Sequence, residues 1–250
     1  VLNLYGITIS LSIFLCILIT QKLVVKYKKN EEIFWGLPFW TIFCGILGAR
    51  LYHVLDYFDY YRYHQLDIFK IWNGGMGIWG GILGGTLGAV TYLKIKGEKI
   101  FPWLDIISVV TPLGQSVGRW GNFFNKEIFG LPTTLPWGMY IEPEKRPVEF
   151  LNYSKFHPLF IYESILNFIL FLFLLILYKK TNEKTPSGTF LCIYLISYST
   201  IRFFLEFLRI NPWKIEISPL FLNVSQCISI LVIIISIIFI FRNNFLRKKQ

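Results

Sequence analysis

Apolar residues in this chain come in long runs rather than in short alternations, and the runs set its architecture. Seven stand out, at residues 4–25, 34–55, 75–93, 100–117, 159–178, 188–208 and 219–241. Each is close to the roughly 20 apolar residues that cross a bilayer as a helix. The pattern predicts an all-α, polytopic integral membrane protein with about seven transmembrane helices, organised as one domain over residues 1–250. The first run is long and ends in lysines without a small-residue cleavage site, so it reads as a spanning helix and not as a cleavable signal. The third run, "GGMGIWGGILGGTLGA", carries Gly80, Gly84 and Gly88 at every fourth position, and Gly81, Gly85 and Ala89 likewise. Two adjacent strips of one helix therefore lack bulky side chains, which predicts close backbone contact with a neighbouring helix.

The polar positions between the runs orient the chain. Fourteen Lys and Arg residues lie in one set of alternate links: Lys22, Lys26, Lys28 and Lys29, then Lys94, Lys96 and Lys99, then Lys179, Lys180 and Lys184, then Arg242, Arg247, Lys248 and Lys249. The other set holds eight, Arg62, Lys70, Lys126, Lys145, Arg146, Lys155, Arg209 and Lys214. Short links with excess positive charge stay in the cytoplasm. The N-terminus is accordingly expected outside and the C-terminus inside. The segment at about residues 122–158, between the fourth and fifth helices, becomes extracytoplasmic. Its prolines, among them Pro132, Pro136, Pro143 and Pro147, suit either an ordered lid or a loop.

Composition changes this picture little. A chain that is 54% hydrophobic, with a mean hydropathy of +0.51, lacks the polar surface a soluble domain of this length needs. The net charge of +10 is accounted for by the cytoplasmic links, and no basic face with interleaved aromatics suggests nucleic acid. Cys16, Cys44, Cys192 and Cys227 sit inside apolar runs without a C-x-x-C pair and read as small buried hydrophobes. Glu127 and Asp105 have no His beside them, so no metal site or cofactor is expected.

Chemistry concentrates in the arginines that remain. Arg50, Arg119 and Arg202 fall within or at the end of apolar runs, all toward the outer side. An arginine inside a membrane costs about 2.5–3.5 kcal/mol on insertion scales and marks a functional site by default. Tyr198, Arg202 and Glu206 follow one another at i, i+4 and i+8, with Arg209 at i+11, so all four share a helix face. This is either a buried Arg–Glu pair joining helices or an arginine oriented by Glu206 toward an anionic ligand. In "GRWGNFFNKEIFG" a helical reading puts Arg119 and Asn122 on one side, where a guanidinium fork suits phosphate and an amide suits ester or hydroxyl oxygens. His157, Tyr162 and Glu163 open the fifth helix, and His53 follows Arg50 by three residues. No G-x-S-x-G or other nucleophile motif accompanies them. The set reads as a phosphate-binding cavity whose reactants both come from elsewhere.

These passages carry a resemblance. "GRWGNFFNKEIFG" is similar to the signature of the prolipoprotein diacylglyceryl transferases. Tyr5–Gly6, "GARLYHV" at 48–54, "GGMGIWGG", "HPLFIYE" at 157–163 and the Tyr198/Arg202/Glu206 face stand in the family's order. The resemblance implies transfer of diacylglyceryl from phosphatidylglycerol to a lipobox cysteine thiol of a prolipoprotein, in the bacterial cytoplasmic membrane. It implies catalytic roles for Arg119, Arg202, Tyr198 and Glu206. Contacts to phosphatidylglycerol are implied for Arg119, Asn122, Asn125, Glu127, Gly130, Tyr5 and Glu163, with Trp79 and His53 added as cavity wall and proton acceptor. The chain departs from the family pattern at Trp79, where well-known members carry histidine, and at Leu131, where arginine is common. An inactive phosphatidylglycerol-binding relative is the first alternative, since Trp79 cannot act as a base. An organic-anion transporter is the second, but it predicts arginines spread through the membrane depth and an internal repeat, and neither is found.

Overall fold

The computed structural model describes residues 4–125, 127–181, 185–210 and 222–247, with side chains to residue 243. The start of the seventh predicted run, at 219–221, lies outside the described residues, as do Lys126, Lys184, Lys214, Lys248 and Lys249 and the side chain of Arg247. The helices are α1 Leu4–Lys26, α2 Glu31–Asp56, the single turn α3 Phe58–Tyr61, α4 Ile78–Ile95, α5 Ile100–Asn125, α6 Leu159–Thr181, α7 Thr189–Leu205 and α8 Val224–Arg247. Among the described residues, six stretches are long and apolar enough to cross a membrane: α1, α2, α5, α6, α7 with its following turn, and α8. The third predicted run forms α4, whose 18 residues reach only about 27 Å and whose apolar character is diluted by glycine. The protein is an all-α, multi-pass membrane protein.

Helix boundaries differ from hydropathy where a capping group decides them. Asn30 Oδ1 accepts from the backbone N–H groups of Glu32 (2.9 Å) and Ile33 (3.3 Å), so α2 starts ahead of its apolar run. Before α8, the Asn223 side chain accepts from Gln226 N (3.0 Å) while the Gln226 side chain accepts from Asn223 N (3.1 Å). This reciprocal cap starts the helix at Val224. The largest difference is in α5, which continues eight residues past the predicted end at 117 and carries Arg119, Asn122 and Asn125 on helical backbone.

The chain divides into two compact units. One comprises Gln21–Trp103, the other Val1–Thr20 with Leu104–Gln250. In the first, both glycine strips of α4 lie on α2. A Cβ placed on Gly84 would overlap the Cys44 carbonyl and approach the Gly48 Cα to 3.0 Å, and one on Gly88 would stand 2.7 Å from the Trp40 carbonyl oxygen. The glycine repeat thus has the packing role its spacing predicts. Arg50, 7% exposed, organises the link from α2 to α4. Its Nε donates to Ile68 O (2.8 Å), Nη1 to Gly74 O (2.8 Å) and Gly75 O (2.9 Å), and Nη2 to Asp67 O, while the guanidinium lies over the Tyr61 ring. Gly74 and Gly75 take φ of +87° and +75°, a conformation glycine adopts without cost. Nearby, Lys70 donates to Asp67 (2.7 Å), and that bond holds the Asp67 carboxyl below the usual carboxylate range.

In the second unit, polar contacts join the helices across otherwise apolar faces. Ser12 of α1 donates to Gly114 O of α5 (2.7 Å), and Ser164 of α6 donates to Ser116 O of α5 (2.9 Å). Asp105 of α5 accepts from the backbone N–H groups of Gly188 (2.6 Å) and Leu191 (2.9 Å), which caps the start of α7. The described part of the predicted 122–158 segment is ordered. Strands β1 Met139–Tyr140 and β2 Lys155–Phe156 pair antiparallel, and Ile141 and Phe156 are completely buried. Gly130 N donates to His157 O (2.8 Å) and Leu131 N to Leu208 O (2.8 Å), which ties the segment to the end of α7.

Candidate functional site

The polar residues of the second unit converge at one end of three helices. Arg119 stands near the end of α5, Glu163 in the second turn of α6, and Arg202 near the end of α7. Because α6 runs opposite in sequence sense to its two partners here, a late position on α5 or α7 meets an early one on α6. Glu163 is the hub. Only 1% of its side chain is exposed, yet Oε1 accepts from Arg119 Nη2 (2.5 Å) and Tyr198 O–H (3.4 Å), and Oε2 accepts from Arg202 Nη1 (3.1 Å). Arg202 also donates to Glu206 (3.0 Å), and Arg209 reaches both Glu206 oxygens at 3.4 Å. The helix gives way to a 3-10 turn at Glu206–Leu208, so Arg209 meets Glu206 across a turn rather than along the predicted helical face.

A second chain of contacts leads from Arg119 outward. Its Nη1 donates to Asn122 Oδ1 (3.4 Å), and the amides of Asn122 (2.8 Å) and Asn125 (3.5 Å) both donate to Glu127 Oε1. The Tyr5 ring of α1 lies over Gly121, where a Cβ would stand 2.8 Å from it. Gly130 is held equally tightly, since a Cβ there would come within 2.6 Å of Leu208 O and 2.9 Å of the Leu159 side chain. Both glycines are required by close approach, not by turn geometry.

The electrostatics are lopsided. Arg119, Arg202 and Arg209 bring three guanidinium charges against the two buried carboxylates of Glu163 and Glu206, and Glu127 sits at the edge beside the asparagines. Each of Arg119 and Arg202 keeps 22% of its side chain exposed. Glu163 therefore holds two guanidinium groups side by side with donor capacity remaining for a further acceptor. The two readings of the Arg202–Glu206 face coincide: the pair is buried and joins helices, and it also orients a partly open arginine.

Two other candidates belong to the Gln21–Trp103 unit. His53 packs against the Tyr57 ring at 4.6 Å, and Trp79 is 56% exposed on the first turn of α4. His157 shares a hydrogen bond of 3.1 Å with the Tyr162 hydroxyl, which also accepts from Trp137 Nε1 (2.9 Å), a local tie within the ordered segment. Sequence reasoning missed Gln115, whose amide donates to the Tyr194 hydroxyl (2.9 Å). Spacing was the available signal: Gln115 precedes Arg119, and Tyr194 precedes Tyr198, by four residues each.

Fold and site together define a multi-pass helical membrane protein with paired arginines held by buried carboxylates near one end of its helices. The chain belongs to the prolipoprotein diacylglyceryl transferase family, whose model, described as "Prolipoprotein diacylglyceryl transferase", matches residues 1–242. Among its relatives, a phosphatidylglycerol--prolipoprotein diacylglyceryl transferase of Prochlorococcus marinus subsp. pastoris is 38% identical over 98% of this chain and 89% of its own length. The protein of that name from Synechocystis sp. is 37% identical over 92% and 81%. That from Fervidobacterium nodosum is 43% identical over 83% and 70%.

Proposed function

We propose that this protein transfers the diacylglyceryl group of phosphatidylglycerol to the lipobox cysteine thiol of prolipoproteins, as an enzyme of the bacterial cytoplasmic membrane with its N-terminus outside. The observation that carries the reading is the pair of guanidinium groups, Arg119 and Arg202, held together on Glu163. In the reaction the thiolate sulfur attacks the glycerol carbon that bears the phosphate. A carbon–sulfur bond forms, the carbon–oxygen bond breaks, and glycerol phosphate leaves with the electron pair. Negative charge grows on that oxygen, and fixed cations in a water-poor site stabilise it most where they need no reorganisation. Arg119 and Arg202 fill that role, Glu163 and Glu206 position them, and Tyr198 completes the cradle. Asn122, Asn125 and Glu127 suit the hydroxyls of the glycerol headgroup, with Tyr5 and Gly130 shaping the wall around them.

A free thiol has a pKa of about 8.5, so a few per cent is already thiolate at neutral pH. Guanidinium charge raises that fraction, and the departing phosphate takes the proton. This removes the need for a base at Trp79. The deciding experiment incubates purified protein with phosphatidylglycerol and a lipobox peptide and measures peptide mass. A gain of one diacylglyceryl group on the cysteine is expected, with glycerol phosphate as co-product. Phosphatidylglycerol binding without that mass gain would instead identify an inactive relative.

A further inference from the structure

One helical turn below the arginine layer lies a second polar layer that the reaction above does not use. It consists of Gln115 on α5, Asn167 on α6 and Tyr194 on α7. These stand at i−4 from Arg119, i+4 from Glu163 and i−4 from Tyr198, and the opposite sequence sense of α6 places all three on the same, deeper side. The layer closes between α5 and α7 through the Gln115–Tyr194 hydrogen bond, and between α5 and α6 through Ser116 and Ser164, whose hydroxyls are 3.2 Å apart. Tyr194 stacks on Tyr198 at 5.9 Å, which links the two layers.

Two members of this layer are incompletely paired. Asn167 is completely buried, and among the described residues neither its Nδ2 nor its Oδ1 has a partner. Gln115 spends one end of its amide on Tyr194, and its buried Oε1 has no partner among the described residues. Turning that amide over would let the tyrosine hydroxyl donate instead, but one end stays free in either orientation. Buried amides are paired as a rule, and an orphaned one destabilises the fold that carries it. A leucine would fill the Asn167 position in a membrane helix without that cost.

We infer that this layer receives the ester carbonyls of the lipid's glycerol backbone, an inference that rests on the transfer reaction proposed above. The arginine layer takes the phosphate, and the esters lie one glycerol unit deeper along the lipid. One helical turn, about 5.4 Å, sets the amides at the corresponding depth. An ester carbonyl only accepts hydrogen bonds, so it pairs with an amide N–H of Asn167 or of a turned Gln115 and cannot pair with a carboxylate. The layer makes the protein selective for ester-linked over ether-linked phosphatidylglycerol.

The test compares diester phosphatidylglycerol with its dialkyl-ether analogue, which keeps the phosphate, headgroup and chain length but lacks the carbonyls. Transfer to a lipobox peptide is followed by mass for the wild type, Asn167→Leu and Gln115→Leu. The wild type is expected to use the diester with a kcat/KM about three- to tenfold higher, the scale of one or two neutral hydrogen bonds. In Asn167→Leu that ratio should fall toward one, and in Gln115→Leu it should shrink. A wild type that uses both lipids equally overturns the inference, as would be seen if the layer held only water, and this outcome needs no variant to fold. A folded Asn167→Leu that keeps the full preference also overturns it. Transfer from neither lipid rejects the proposed reaction, and the ester assignment falls with it.

Discussion

Arg50, Arg119 and Arg202 look alike in the sequence, each an arginine within or at the end of an apolar run, but their surroundings separate them. Arg50 is spent on backbone carbonyls from Asp67 to Gly75. Arg119 and Arg202 are held by Glu163 and keep part of their surface open. Lysine preserves charge but not the planar fork, so Arg119→Lys and Arg202→Lys should each lower lipobox-peptide turnover by roughly 10²–10³, the usual effect of losing one donor aimed at developing charge. Arg50→Lys should instead lower thermal stability, by about 1–3 kcal/mol, with a smaller effect on turnover per folded molecule, because several carbonyls lose their donor. Near-wild-type rates for both site variants would reject the phosphate assignment. At Trp79, an indole that cannot act as a base, Trp79→Phe should retain most activity. A steep fall in kcat with lipid binding and folding intact would reveal a chemical role for the ring.

At the scale of elements, the contact between α2 and α4 depends on which glycine faces what. A Cβ on Gly84 would overlap the Cys44 carbonyl, whereas one on Gly81 would make ordinary contact with Ala49 at 3.5 Å. Gly84→Ala should therefore destabilise the detergent-solubilised protein by about 1–3 kcal/mol through overpacking. Gly81→Ala should be neutral or raise the melting temperature, because alanine favours helix over glycine by roughly 0.8–1 kcal/mol. Thermal unfolding of the two variants side by side checks this. Equal destabilisation would mean that the helices do not approach along the strip described. The glycine period was legible in the sequence, but the difference between its two strips was not, since that depends on the rotation of α4 against α2.

For the whole molecule, the asymmetry of Lys and Arg between alternate links predicts which ends face outward, and Lys96 and Lys145 sit on opposite sides of that assignment. Single cysteines at these positions, in a background without the four native thiols, should respond differently to an impermeant reagent on intact cells. The 145 position should be labelled and the 96 position protected. Labelling at 96 would invert the topology and put the arginine layer on the wrong side for an exported prolipoprotein. Neither unit decides this by its own packing, because the orientation is set by the links and the membrane.

Apolar runs of membrane-spanning length determined the helical class by themselves, because a backbone in lipid must satisfy its own hydrogen bonds. Local chemistry also wrote several boundaries plainly, such as Asn30 before α2 and the Asn223/Gln226 pair before α8, although a reading by hydropathy alone passes over them. The polar signature 118–130 and the Tyr198/Arg202/Glu206 spacing marked the candidate site residues, and resemblance gathered them into one list. Only the tertiary structure decided their relations. Glu163 became the hub because three helices converge there and a buried carboxylate is tolerable only when cations and a hydroxyl surround it. Arg50 went to the link between α2 and α4 because four backbone carbonyls of that link lie within its reach. Asn167 acquired its meaning from being buried with no partner among the described residues, a property that no spacing along one chain can express, since it depends on what the other helices do not offer.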